Sequence, residues 1–187
     1  MSVKRAAARF CAAADDASAL DELVKIVDAV PIGGKENSAK QHRAAALDCL
    51  KVAQQRLGVA GGDPARLAQA CGSLLRLLER SSGSAPPSQL HSARYNVVRR
   101  LVSARAFGAA LQEALVLYSQ LQEHHGGADH ARTSLRPPRE GEKLSPEEVN
   151  LVVGTVLTLA LCWSESGAGG EVARILGAAE RVEPWMR

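Results

Sequence analysis

Residues 89–122, "QLHSARYNVVRRLVSARAFGAALQEALVLYSQLQ", hold four arginines, both tyrosines of the chain and one of its two phenylalanines. Apolar residues recur along the stretch at helical spacing, and the pattern breaks only at "ARAFG", residues 104–108. Leu90, Val97, Val98 and Leu101 form one stripe, with Ala104 near its end. Phe107, Ala109, Ala110, Leu111, Ala114, Leu115 and Tyr118 repeat the pattern after the break. Such spacing predicts two helices of about 15 residues each, with "ARAFG" as a tight corner between them.

The arginines raise the alternative of a nucleic-acid-binding arm. At about 100° per residue, Arg94 and Arg105 fall about 20° apart on a continuous helix, while Arg99 and Arg100 fall on roughly the opposite side. The charges are therefore expected to ring the apolar stripe, as on a helix held between neighbours, and not to gather into one phosphate-reading face. Arg94 and Arg105 are the candidate partner-binding residues, suited to a local anion or an acidic peptide.

Composition agrees with helices. Of 187 residues, 46% are apolar but only 3% aromatic, and the apolar share is rich in Ala and Leu, which lose little side-chain freedom in a helix. Runs of β-branched residues alternating at period two are almost absent, so the expectation is all-α. A net charge of +3 arises from 23 basic and 20 acidic residues mixed along the chain, which reads as a solvated surface and not as a nucleic-acid footprint. Length allows about one domain, two small ones at most.

The start, "MSVKRAAARFCAAADDASA", lacks a continuous apolar core and so does not read as a secretory signal. Asp15 and Asp16 argue against an organelle transit peptide. The most apolar run, Val149 to Trp163, falls short of the roughly 18 residues a membrane span needs, so a buried core helix is expected there. The expected setting is soluble and intracellular, in the cytoplasm or nucleus, with no membrane partner.

Punctuation orders the rest. Residues 1–17 are read as a flexible N-terminal segment, followed by one helical-repeat domain over 18–187. Its first helix runs from Ser18, the expected N-cap, to Val30. "SAKQHRAAALDCLKVAQQRLG" supplies a second, with Leu47, Leu50, Gln54 and Leu57 on one stripe. A third opens at Asp63-Pro64, a favourable cap and first position; Leu67, Ala70, Cys71, Leu74, Leu75 and Leu78 follow at spacings of three and four. Residues 124–143 are polar and rich in Pro and Gly, and are read as a mobile loop. Ser145, Pro146 and Glu148 then spell a capping box. The pairs 37–57/64–80 and 89–105/107–122 match in size and layout, which suggests stacked hairpins.

Little of the chain points to chemistry. "PIGGKENS" lacks the first glycine and the Ser/Thr of a phosphate loop. His124, His125, Asp129 and His130 are zinc- or nickel-type ligands, but adjacent histidines followed by two glycines do not fix a tetrahedron; a solvated helix end is the favoured reading. The four cysteines, Cys11, Cys49, Cys71 and Cys162, have no CxxC pairing and read as free core thiols. Cys162 follows "LTLAL", an apolar setting that suppresses the thiolate. No cofactor, metal or small-molecule substrate is expected.

The second half of the opening stretch resembles the close-packed second helix of a tetratricopeptide hairpin, with Phe107 at its start and an alanine three residues later. The first helix departs from that pattern. Read as a whole, "LHSARYNVVRRLVSARAFGAALQEALVLYSQL" resembles the N-terminal helical region of plant-type separases, which carries an R-Y-x-x-V-R-x-L-type pattern before an "A…E…VL…L" partner helix. "ALDCLKVAQQRL", "NLVVGTVLTLALCWSESG" and "VEPWMR" fit the same order, so the likeness spans about residues 37–187. It implies large cysteine endopeptidases that open cohesin at anaphase and bind securin. Their His/Cys dyad lies in a C-terminal protease domain that nothing here matches, so no catalytic residue carries over. The expectation is an all-α, tetratricopeptide-like right-handed solenoid of stacked antiparallel hairpins. It would act as a non-catalytic scaffold for a protein partner, with a securin-like inhibitor the implied one. A generic peptide-binding adaptor is the alternative, and a small helical enzyme or metal protein using His124, His125 and His130 a third.

Overall fold

The computed structural model describes residues 2–13, 16–30, 36–57, 63–81, 87–125 and 144–179. These form eight α-helices and, among the described residues, no strand: α1 (Val3–Ala12), α2 (Ala17–Asp28), α3 (Glu36–Leu57), α4 (Pro64–Ser81), α5 (Pro87–Ser103), α6 (Phe107–His125), α7 (Pro146–Glu165) and α8 (Gly169–Ala179). The all-α, helical-repeat expectation holds. The chain divides into two compact units, Met1–Ala106 and Phe107–Arg187, where the sequence suggested a single domain from residue 18. The boundary falls inside the opening stretch, so α5 closes the first unit and α6 begins the second.

Within the first unit, α4 packs against α2, α3 and α5. Three neighbours explain why ten of its residues are buried, including Leu74, Leu75, Leu77 and Leu78 in consecutive turns. Truncating any of these leucines to alanine would cost about 2–5 kcal/mol, the range for core cavities. The expected cap is present: the Asp63 carboxylate accepts from the backbone N–H of Ala65 at 3.0 Å and of Arg66 at 3.3 Å. Buried Ser73 is satisfied by donating to Asp28 of α2 at 3.2 Å, while Arg76 donates to its oxygen at 2.8 Å.

The expected hairpin 37–57/64–80 is α3 with α4, in direct contact. Its core stripe is shifted, however. Ala46, Cys49, Leu50, Ala53 and Leu57 are buried, whereas Leu47 is exposed. Small residues face inward because α1 lies close against this side of α3, and large leucines alone misjudged the face.

The N-terminal segment, expected to be flexible, is helical over Val3–Ala12. Its burial of Val3, Ala6, Ala7 and Phe10 against α2 and α3 supplies the stabilisation that its composition conceals. Arg9 adds contacts to Glu22, Ser18 and Asp16, although such exposed pairs are screened by water and contribute little. The α2 cap is Asp16 and not Ser18: its carboxylate accepts from the Ser18 backbone N–H at 2.8 Å. That bond holds the Asp16 carboxyl below the usual carboxylate range.

In the second unit, α7 packs against both α6 and α8. The predicted capping box is complete. Ser145 Oγ accepts from the Glu148 backbone N–H at 3.2 Å, and the Glu148 carboxylate accepts from the Ser145 backbone N–H at 2.9 Å. Leu151, Val152, Val156, Leu159, Ala160, Cys162 and Trp163 form the buried face of α7. By length and composition this helix could also cross a bilayer; its buried face, matched by Ala110, Ala114, Leu117 and Leu121 of α6, is that of a core helix.

Candidate partner-binding surface

Helix α5 carries the residues singled out from sequence. Val97, Val98 and Leu101 are buried as expected, but so are His91 and Arg94. Arg94 lies one turn before Val97 and Val98, about 20° from Leu101 on the helix. It therefore belongs to the apolar stripe instead of flanking it. Only 2% of Arg94 is exposed, and its guanidinium donates to the Glu79 carboxylate of α4 at 2.7 Å. A buried cation of this kind requires a counter-charge and hydrogen bonds. Next to it, Gln54 of α3 donates to the Ala93 carbonyl at 3.3 Å. This polar seam ties α5 to α3 and α4.

Arg105 stands elsewhere. The helix ends at Ser103, so the geometric link between Arg94 and Arg105 assumed for one continuous helix does not exist. The Ala106 N–H donates to the Leu101 carbonyl at 2.9 Å and the Arg105 N–H to that of Val102 at 2.9 Å. These two bonds make a Schellman motif, which requires a left-handed residue between helix and exit. Arg105 occupies that position at φ 57°. The same motif closes α7, where Gly167 takes the left-handed position at φ 73°. Arginine at such a site carries the steric cost that glycine avoids.

Arg105 is exposed, as are Arg99 and, in the last turn of α5, Arg100. Cations suit a helix C-terminus, where the unpaired carbonyls carry partial negative charge. The tip of α5 thus offers three solvent-facing guanidinium groups in seven residues, each able to bind a carboxylate or phosphate in a bidentate manner. Of the two residues proposed from sequence, Arg105 is open to a partner, whereas Arg94 is committed to the seam with Glu79.

The second unit presents a different surface. Leu157, 55% exposed, and Leu161, 41% exposed, sit one turn apart on α7. Leu115 and Val116 of α6 and Leu176 of α8 are exposed as well.

Asp129 and His130 lie outside the described residues, as do the side chains of His124 and His125. Among the described residues no group of three or more His, Cys, Asp or Glu could hold a metal ion. All four cysteines are free thiols; three are buried, and Cys11 is exposed, contrary to the expectation of four core thiols. Burial pushes the Cys162 thiol up, and the charge of Glu165 adds to it, so it is a poor nucleophile.

Among models of protein families, the one described as "Separase-like, TPR repeats" matches residues 71–187, more than half of the chain, from within α4 onward. No curated protein and no solved structure matches the chain.

Proposed function

Because the chain belongs to the family of separase-like TPR repeats, we propose that it is a non-catalytic scaffold that presents helical surfaces to a protein partner in sister-chromatid separation. A securin-like inhibitor is the partner proposed, met in the cytoplasm or nucleus. The observation that carries this reading is the family match, which covers repeat helices alone. The exposed arginines at the tip of α5 support it, because they suit an extended acidic segment.

The test is fluorescence anisotropy of a labelled acidic peptide from a securin, titrated with the full chain. Arg105→Ala is expected to weaken binding several-fold, in keeping with about 0.5–1 kcal/mol for an exposed charge pair, and the loss should shrink at high salt. Unchanged affinity would remove Arg105 from the site. Equal binding of a scrambled peptide of the same charge would favour the generic adaptor instead.

A further inference from the structure

Cys11 is the penultimate residue of α1, and Cys49 lies in the second half of α3. Their Sγ atoms are 4.0 Å apart. The Cys49 thiol also lies 3.8 Å from the carbonyl oxygen of Ala7, one turn before Cys11. The Cys49 sulfur is therefore seated against a single turn of α1. Buried Ala6, Ala7, Ala46 and Ala53 let the two helices approach this closely. Cys49 is buried, while Cys11 is exposed and can be reached by a dissolved reagent.

We propose that Cys11 and Cys49 are a redox-responsive pair that closes to a disulfide on reaction with a low-molecular-weight disulfide such as glutathione disulfide. The Cys11 thiolate attacks one sulfur of the reagent, breaks its S–S bond and releases one glutathione thiolate, leaving Cys11 as a mixed disulfide. Cys49 then gives its proton to water and attacks the Cys11 sulfur, and the second glutathione thiolate departs. Two protein thiols are oxidised, and one glutathione disulfide is reduced to two glutathiones.

Burial and the nearby Cys11 sulfur push the Cys49 thiol up. Cys11 is the exposed thiol and Cys49 the buried one, so the reagent meets Cys11 first and Cys49 resolves the mixed disulfide. A disulfide needs its sulfurs at about 2.05 Å, roughly 2 Å closer than in the dithiol. The position of Cys11 at the end of its helix allows that shift, because a terminal turn frays more readily than an interior one. In a reducing compartment the pair rests as dithiols, and oxidation would tie α1 to α3.

The experiment treats the full chain with glutathione disulfide at about pH 8, blocks remaining thiols with N-ethylmaleimide and digests with trypsin. The expected product is a disulfide joining the peptides of residues 10–25 and 44–51, with Cys71 and Cys162 alkylated only after unfolding. The oxidised chain should melt several degrees higher, and Cys11→Ser should abolish both the cross-link and the shift. In Cys49→Ala, Cys11 should stop at the mixed disulfide. A wild-type chain that also stops there, or that links either cysteine to Cys71 or Cys162, overturns the proposal.

Discussion

Removing the charge of Glu79 should unfold the first unit more readily than removing that of its partner Arg94. The side chains differ in access to water: 3% of Arg94 is exposed against 29% of Glu79. Glu79→Gln leaves a buried guanidinium facing a neutral amide, and water cannot replace the lost charge. Losing one partner of a buried pair costs about 3–5 kcal/mol in the limit; the partial exposure of Glu79 places the expected loss nearer 2–4 kcal/mol. Arg94→Met keeps the apolar stem and leaves a carboxylate that water reaches, so about 1–3 kcal/mol is expected, in the range for a hydrogen bond to a charged group. The double variant Arg94→Met with Glu79→Gln should lose less than the sum by about 1.5 kcal/mol or more, because neither charge is then left facing a neutral side chain across the seam. Urea unfolding followed by far-ultraviolet circular dichroism gives the free energies, and hydrogen exchange at Val97–Leu101 locates the effect on α5. Additive losses would refute the seam. So would an Arg94→Met chain of full stability that loses peptide binding, since Arg94 would then be a contact residue and not a structural one.

Arg105→Gly should stabilise the first unit by about 0.5 kcal/mol in the same urea assay, since relief of the left-handed strain exceeds glycine's extra freedom in the unfolded chain; Arg105→Val should destabilise it. Ser145→Ala should cost about 1 kcal/mol through loss of the capping box, read by tryptophan fluorescence because both tryptophans follow residue 106. Asp16 titrates below its ordinary 3.8 in the folded chain, so its contribution to the α2 cap is present above that value and is lost as pH falls through the lower folded value. Protection of the Ser18 amide, taken relative to its intrinsic exchange rate, should therefore fall once the pH drops below 3.8, and Asp16→Asn, which retains the acceptor, should remove that dependence.

Much of the fold was legible because local rules act over a few residues. The caps at Asp63 and Ser145, the stops after α2 and α3, and the leucine ladder of α4 are short-range patterns, and each was read correctly or within two residues. Two of the misses share one cause. Alanine and cysteine carry little hydrophobic signal individually, so the buried face of α3 and the helix over residues 3–12 were hidden until α1 and α3 were seen in contact. The candidate site was legible only in part. Arginine is polar on any scale, and nothing near Arg94 in sequence announces Glu79, 15 positions earlier, as its buried partner.

By itself, the order of residues determined that this chain is helical, where most helices begin and end, and which family its repeat helices resemble. Those properties follow from periodicity, caps and diffuse apolar patterns that neighbouring residues impose on one another. Tertiary structure alone decided that Arg94 is internal and Arg105 external, that the stretch 89–122 is shared between two units, and that Cys11 and Cys49, 38 positions apart, meet across two helices. Burial and charge pairing depend on what another helix places opposite a residue, and that is a long-range fact.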